Sequence, residues 1–175
     1  MEQSVIELQP VLGGVSMDQP KLICPVTHVD GRGWLRNKYG KFDMDSLIGS
    51  FNEHDRTWRG FHYQIEPYAQ AKVITCVRGA ISDFVIDLRP GGFTHLAVYK
   101  AILTQENGFM LYVPKGFAHG YLTTEPKTEV VYLIEGARVE SAERGIRWDD
   151  PMFDLNIHEP NLMSVRDKDW PDYKP

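Results

Sequence analysis

The sequence predicts an all-β fold, a sandwich or barrel with short peripheral helices. Short runs rich in Val, Ile, Phe and Tyr recur along residues 70–136, and turn-forming pairs separate them at close spacing. Helical periodicity, by contrast, is confined to one short stretch. Many short strands punctuated by turns are typical of β-sandwiches and barrels, which is why we expect this class.

The sequence also predicts where individual elements lie. Residues 70–89 contain two apolar runs separated by Arg78-Gly79, which predicts a strand, a turn and a strand. The segment 43–51, DMDSLIGSF, predicts a short helix with Asp43 as its N-cap. The last 25 residues, rich in Pro, Asp and Asn, are predicted to be mostly irregular surface chain. Further strands are predicted at 95–104, 108–114 and 128–136.

Length and composition exclude several classes of protein. The 175 residues, 42% of them hydrophobic, predict a single domain over 1–175 with a substantial core. A formal charge of -5 and no run of Lys or Arg argue against a nucleic-acid partner. No segment is apolar enough for a membrane span and the start shows no export leader, so we expect a cytoplasmic protein with no membrane partner. Cys24 and Cys76 form no CxxC pair and are expected to be free thiols.

The stretch WRGFHYQ, residues 58–64, concentrates polar and aromatic side chains. Alternation in an extended segment places His62 and Gln64 on one face and Phe61 and Tyr63 on the other. One face is therefore polar and the other apolar. Taken alone, a histidine in such a strand fits a hydrogen-bonded structural role as well as a catalytic one.

Two further polar residues fall in apolar strands. Lys72 lies near the start of the next strand, where an inward-facing lysine needs a negative charge or a substrate to offset its burial. His119, in VPKGFAHGYL, is set beside glycines and aromatic residues. Both are candidates for a polar pocket.

The order of these motifs resembles a known family. RGFHYQ, AQAKVITCVRGAISDFVIDLR, VPKGFAHGYL, VVY, ERGIRWDDP and SVRD follow one another as in the dTDP-4-dehydrorhamnose 3,5-epimerase family of cupin-like sugar-nucleotide epimerases. The resemblance covers roughly residues 28–171. It implies a cupin-type jelly-roll barrel that epimerises a nucleoside-diphosphate-linked 4-keto (deoxy) sugar at C3, C5 or both. Such an activity belongs to activated-sugar biosynthesis for surface polysaccharide or glycoconjugate.

The resemblance implies catalytic roles for four residues and no cofactor or metal. A 4-keto group makes the hydrogens on C3 and C5 acidic through an enolate, and inversion needs a base on one face and an acid on the other. His62 is implied as the base, and Asp167 as the carboxylate that orients it, with Asp169 as the alternative if the register slips. Lys72 is implied as the cation beside the enolate oxygen and Tyr132 as the acid.

The implied substrate contacts lie along most of the chain. Arg59 and His119 match positions at the phosphate and sugar, and Gln64 lies beside the base. Glu143 and Arg166 match ligand-contacting positions of the family. Glu143 fits a surface carboxylate equally well, and Arg166 stands where a lysine is customary. The family further implies a homodimer with shared active sites, in which an N-terminal strand crosses over and Arg32 reaches the partner's nucleotide. Asp30-Gly31-Arg32-Gly33 reads equally well as a simple turn.

Three departures from the family pattern fall on the nucleotide end. Arg138 stands where thymidine-specific relatives carry a stacking aromatic residue, and Asn37 aligns with a glutamate that helps recognise thymidine. The segment before RGFHYQ is shortened to SFNEHDRTW, which leaves Asn52 as the remnant of a customary Gln-x-Asn. Because a planar guanidinium stacks on a base or pairs with phosphate or a guanine edge, nucleotide binding survives these changes. We predict a nucleotide that is not restricted to thymidine, with GDP or CDP sugars as alternatives.

Two other functions fit the same fold. A metal-dependent cupin commonly uses an HxH motif, but His62 is followed by Tyr63 and Gln64. A non-catalytic sugar-nucleotide binding protein would be favoured by the loss of a catalytic residue, yet all four are present. The motifs do not distinguish dTDP, GDP, CDP and UDP, a hexose from a heptose, or inversion at one carbon from inversion at two.

Overall fold

The computed structural model describes residues 5–11, 18–31, 33–37 and 44–175, and within those ranges the chain is built almost entirely of strands. The helices in these ranges are a 3-10 helix at Glu140–Ala142 and an α-helix, α1 (Val165–Lys168). The predicted all-β jelly-roll class is confirmed. The strands are β1 (Ile6–Glu7), β2 (Pro10–Val11), β3 (Lys21–Ile23), β4 (Val26–Asp30), β5 (Gly33–Asn37), β6 (Ser46–Asn52), β7 (Trp58–Gln64), β8 (Ala71–Arg78), β9 (Ala80–Asp87), β10 (Val98–Thr104), β11 (Met110–Val113), β12 (Phe117–Thr123), β13 (Thr128–Glu135) and β14 (Glu143–Gly145).

The strands form two facing sheets. The first sheet has the order β1-β10-β9-β12-β7-β14, the second has the order β2-β3-β11-β8-β13-β6, and β4 and β5 form a separate hairpin. The chain crosses repeatedly between the sheets, since β8, β11 and β13 belong to the second sheet while β9, β10 and β12 belong to the first. A buried core fills the space between them. Its members from both sheets include Ile74, Ile81, Val85, Leu103, Leu111, Tyr121 and Val130.

The C-terminal segment covers the outer face of the first sheet. Phe153 and Leu155 are buried there against Trp58, Phe61 and other residues of the sheet. The backbone N–H of Trp58 also donates to the Leu162 carbonyl at 2.8 Å. This segment is largely irregular, as predicted, but it is packed onto the barrel and brings α1 back to β7.

The helix predicted at 43–51 is wrong. Residues Ser46–Asn52 form β6, an edge strand that pairs antiparallel with β13 along seven residues. Gly49 weakens a helix in the middle of this stretch, and pairing with β13 satisfies the backbone groups that a helix would have satisfied internally. Tertiary pairing therefore overrides the local pattern. Asp43, the predicted N-cap, lies outside the described residues.

Cys24 and Cys76 are both free, as predicted. Of the helices in the described ranges, none has the length and apolar character needed to cross a bilayer.

Candidate active site

A cavity of about 680 Å³ opens between the two sheets, and polar side chains from both line it. Arg59, His62 and His119 come from the first sheet, whereas Lys72 and Tyr132 come from the second. A smaller recess of about 280 Å³ adjoins the cavity and shares His62, Lys72 and Arg166 with it. Most of the residues implied by the family resemblance therefore meet in one place, although they come from distant parts of the chain.

His62 is held by a buried carboxylate. Its Nε2 lies 2.6 Å from Oδ1 of Asp167, whose side chain is 5% exposed. Helix α1 fixes that carboxylate, because the N-cap Ser164 accepts a hydrogen bond from the Asp167 N–H at 3.1 Å. When Nε2 donates to Asp167, Nδ1 is the ring nitrogen left to accept a proton. Asp169, the alternative in the sequence, is exposed at the end of α1, so Asp167 is the partner.

An irregularity between β7 and β12 sets the direction of His62. His62 lies opposite His119, but Tyr121 lies opposite Arg59, so β7 has one extra residue in this span. The strands approach so closely here that a Cβ on Gly60 would lie 2.4 Å from the Gly120 Cα. Such bulges re-aim side chains beside functional sites. Here the bulge directs both Trp58 and Phe61 into the outer core and leaves His62 at the cavity.

Lys72 is partly buried at the cavity wall beside His62. Its Nζ donates to the His62 carbonyl at 3.3 Å. Burial lowers the pKa of Lys72 to about 8, against the attraction of Asp83 and Glu143. At neutral pH the amine is therefore protonated and able to stabilise a developing negative charge, while its proton is lost more easily than that of an ordinary lysine.

Asp83 belongs to this site, and sequence reasoning missed it. It is fully buried on β9, and its Oδ1 lies 2.7 Å from Nε2 of His119. Burial raises the pKa of Asp83, while His119 and Lys72 oppose the increase. The available signal was an aspartate in the middle of the apolar strand ISDFVID, since a buried carboxylate needs a positive or hydrogen-bonding partner.

Tyr132 occupies the opposite wall from His62. It projects from β13 in the second sheet, and its ring meets the ring of His119 edge-on at 6.2 Å. Burial is the largest cause that holds the pKa of Tyr132 well above its ordinary value. The phenol therefore stays protonated at any physiological pH, and it lies on the sheet opposite the one that carries His62.

The recess has a cationic rim. Arg138 Nε donates to Glu143 Oε1 at 2.5 Å, and Arg166 Nη2 lies 2.6 Å from Glu143 Oε2. These arginines, led by the Arg138 hydrogen bond, lower the pKa of Glu143. Arg166 also lies over the ring of Trp170 at 4.9 Å. One carboxylate thus orients two guanidinium groups, and the rim keeps a net positive charge.

Arg59, Asn52 and Gln64 have different relations to the cavity. Arg59 is exposed at its wall and donates from Nε to Asn52 Oδ1 at 2.7 Å. Asn52 is 2% exposed and lies behind the wall, so it reaches the cavity through Arg59. The Gln64 amide donates to the carbonyls of Tyr68 and Ala137 and accepts from the Val139 N–H, which fastens the loop that carries Arg138.

Two of the predicted substrate contacts involve side chains outside the described part of the structure. Arg32 lies outside the described residues, as does the side chain of Asn37, and both stay predictions. Among the described residues, no group of three His, Cys, Asp or Glu side chains is arranged to hold a metal ion.

This cavity carries a histidine held by a buried carboxylate on one wall and a protonated tyrosine on the other, an arrangement suited to removing a proton from one face of a carbon and returning one to the other. With the jelly-roll fold, it defines an isomerase of the sugar-nucleotide epimerase class. The chain belongs to the dTDP-4-dehydrorhamnose 3,5-epimerase family, whose sequence model matches residues 15–174.

Individual relatives agree with this assignment. The dTDP-4-dehydrorhamnose 3,5-epimerase of Sinorhizobium fredii is 34% identical over 164 residues, which cover 89% of this chain and 84% of the relative. The Shigella flexneri enzyme of the same name is 37% identical over 154 residues, or 83% of this chain and 84% of the relative. The crystal structure of the Bacillus anthracis enzyme, with TDP and PPi bound, superposes with a TM-score of 0.83 at 30% identity and covers 90% of this chain and 96% of that one.

Proposed function

We propose that the protein epimerises a nucleoside-diphosphate 4-keto sugar, with His62 as the base and Tyr132 as the acid. One observation carries the assignment of roles. A histidine oriented by a buried carboxylate and a tyrosine kept protonated by burial line the same cavity from opposite sheets. A sugar ring between them presents one face to each, which is the arrangement that inversion of a carbon centre requires.

The remaining polar groups fit the same reaction. The 4-ketone makes the neighbouring C–H acidic, and His62 takes that proton as the electrons move to the ketone oxygen. Asp167 stabilises the imidazolium that forms, and the Lys72 ammonium stabilises the enolate oxygen. Tyr132 then delivers a proton to the same carbon from the other face, which inverts it. Because C3 and C5 both adjoin the ketone, the same set of residues can invert C3, C5 or both.

The nucleotide half of the substrate is proposed to lie along the recess. In this proposal Arg59, in the cavity wall, contacts the diphosphate, and the rim of Arg138, Glu143 and Arg166 contacts the nucleoside; the proximity of these groups in the cavity and recess supports it. The exposed guanidinium of Arg138 can stack on any base or pair with a guanine edge. We therefore propose that base recognition is not restricted to thymine, with GDP and CDP sugars as the alternatives.

We also propose that the enzyme is a homodimer and that it is located in the cytoplasm. In the proposed homodimer, Arg32 of one chain adds a further cation to the partner's nucleotide site, beside the rim that Arg138 and Arg166 form. A cytoplasmic location agrees with a nucleotide-linked substrate.

Solvent exchange tests the proposed activity. The enzyme is incubated in deuterated water with 4-keto-6-deoxyhexoses linked to dTDP, GDP, CDP and UDP, and deuterium at C3 and C5 is followed by NMR. Incorporation with inversion in at least one series is expected. No incorporation in any series would contradict the proposal, while incorporation at one carbon only would identify a mono-epimerase.

A further inference from the structure

The indole ring of Trp170 lies on β14, next to the strand that carries His62. A Cβ on Gly145 would overlap this ring, so the ring rests on the glycine backbone and fits there because residue 145 has no side chain. Gly145 pairs with His62 of β7, and Glu143 pairs with Gln64. Since side chains two residues apart in a strand point to the same face, the indole and the Glu143 carboxylate lie on one face of β14.

The guanidinium of Arg166 contacts both of these groups. Its Cζ lies 4.9 Å from the centroid of the Trp170 ring, and its Nη2 lies 2.6 Å from Oε2 of Glu143. The cation thus meets a π face and a carboxylate, and the two contacts together restrict the position and the plane of the group. Arg166 lines both the cavity and the recess. The restricted guanidinium therefore lies where the two spaces meet.

Packing alone does not explain a tryptophan at this position. Within the part of the chain that the structure describes, the buried indole Nε1 of Trp170 has no hydrogen-bond partner. An unpaired buried N–H is unfavourable, and a leucine or phenylalanine would fill space on Gly145 without it. The backbone of Trp170 is also held without the ring, because its carbonyl accepts from Arg147 Nη1 at 3.4 Å. The property that only the indole supplies is a large π face for Arg166.

We propose that Trp170 is a positioning residue for Arg166, whose guanidinium it holds at the junction of cavity and recess to bind the nucleotide half of the substrate. This role rests on the proposed function, in which the recess takes the nucleotide. A guanidinium has several N–H donors, so its ion pair with Glu143 leaves others for the ligand. Because the ring already restricts the side chain, Arg166 loses less conformational freedom when the nucleotide binds.

A double-mutant cycle isolates this contact from other effects of Trp170. Trp170→Leu removes the π face, Arg166→Lys keeps the charge without the planar group, and a third enzyme carries both changes. Kd for dTDP, GDP, CDP and UDP is measured by calorimetric titration, and KM and kcat are measured with the matching 4-keto-6-deoxyhexose. Each single change should raise Kd and KM about three- to tenfold with kcat within about twofold, and the double variant should bind within about twofold of Arg166→Lys. Trp148→Leu is the matched control, because Trp148 packs against the outer core of the first sheet, and it should leave Kd and KM within about twofold.

Two results would overturn the role of Trp170. Additive losses in the double variant would show that the ring does not act through Arg166, and a Trp170→Leu enzyme with lower kcat and unchanged KM would show that it acts on Asp167 of α1 instead. If Trp170→Leu does not fold, Trp170→Phe, which keeps a ring with a weaker π face, decides by the same cycle with a smaller expected loss. A wild type that binds none of the nucleoside diphosphates would overturn the proposed function and this inference together, whereas additive losses in an enzyme that binds them overturn the inference alone.

Discussion

His62 and Asp167 are 105 residues apart in the chain, and their side chains meet at 2.6 Å. The contact depends on the C-terminal segment, which crosses the outer face of the first sheet and ends in a capped turn of helix beside β7. Burial of Phe153 and Leu155 holds that segment in place. The orientation of the proposed base is thus tied to packing on the far side of the sheet.

Replacing Asp167 tests this relationship. Asp167→Asn keeps the size of the side chain but removes the charge that stabilises the imidazolium, so we expect kcat to fall by about 10²- to 10⁴-fold. Steady-state rates of epimerisation measure the loss. Asp169→Asn, two residues on and exposed, is the control and should stay within about twofold of the wild type. Equal losses in the two variants would contradict a specific role for Asp167.

The pKa of Lys72 predicts an alkaline limit on activity. Because burial lowers the pKa of Lys72 to about 8, kcat/KM should fall as the pH rises through that value and the amine loses its charge. Asp83 attracts the protonated amine and opposes this shift, so Asp83→Asn should move the alkaline limb to lower pH. The pH dependence of kcat/KM for the two enzymes measures the shift. A limb that does not move would show that Asp83 has no electrostatic effect on Lys72.

Lys72 also makes the free energy of unfolding depend on pH, in a direction that its lowered pKa determines. In the unfolded chain Lys72 has the ordinary pKa of 10.5, so between about 8 and 10.5 the unfolded state binds more protons than the folded state. The contribution of Lys72 to the free energy of unfolding therefore increases with pH across that window. Lys72→Met, which removes the buried charge, should lower kcat by about 10²- to 10³-fold without lowering the melting temperature at pH 7.

The close approach of β7 and β12 predicts a steric limit. A Cβ on Gly120 would lie 3.0 Å from Cζ2 of Trp58 and 3.1 Å from the Gly60 Cα, so the fully buried Trp58 or the backbone must move. We expect Gly120→Ala to lower the free energy of unfolding by about 1–3 kcal/mol, measured by urea denaturation. Gly49→Ala on β6 is the control, since nothing lies within 4 Å of its added Cβ and no loss is expected.

The presence of Arg138 at the recess leads to a prediction about the relative affinities of the enzyme for different nucleotides. GDP or CDP should raise the melting temperature of the wild type at least as much as dTDP does, because a guanidinium does not favour thymine. Arg138→Tyr places a ring at that position and should tighten dTDP binding by about tenfold relative to GDP. Thermal shift titrations measure both effects. A wild-type enzyme stabilised far more by dTDP than by GDP or CDP would overturn this account of Arg138.

Local sequence patterns predicted the middle of the fold well. The Arg78-Gly79 turn lies between β8 and β9, and the predicted strand at 128–136 is β13. In these strands apolar residues either alternate with polar ones or form a continuous buried run, and both patterns are visible within a few residues of sequence. The prediction of a helix over 43–51 was wrong because residues 46–52 are held in a strand by pairing with β13, about 80 residues away in the chain. No local window contains that pairing.

The site was predicted from motif order, and its geometry was not. The resemblance identified His62, Lys72, Tyr132 and Asp167, which the structure brings to one cavity or beside it. Asp83 was missed because its role depends on the neighbouring strand β12, which places His119 against it.

The base itself is the central claim, and His62→Ala tests it most directly. Wild-type and variant enzymes are compared in deuterated water with a 4-keto-6-deoxyhexose linked to whichever of dTDP, GDP, CDP or UDP the wild type turns over, and deuterium at C3 and C5 is quantified by NMR. If one base serves the reaction, the variant loses incorporation at every carbon that the wild type exchanges, by about 10²-fold or more. Incorporation at the wild-type rate at any of these carbons would show that another group removes that proton, and the account given for His62 would be wrong.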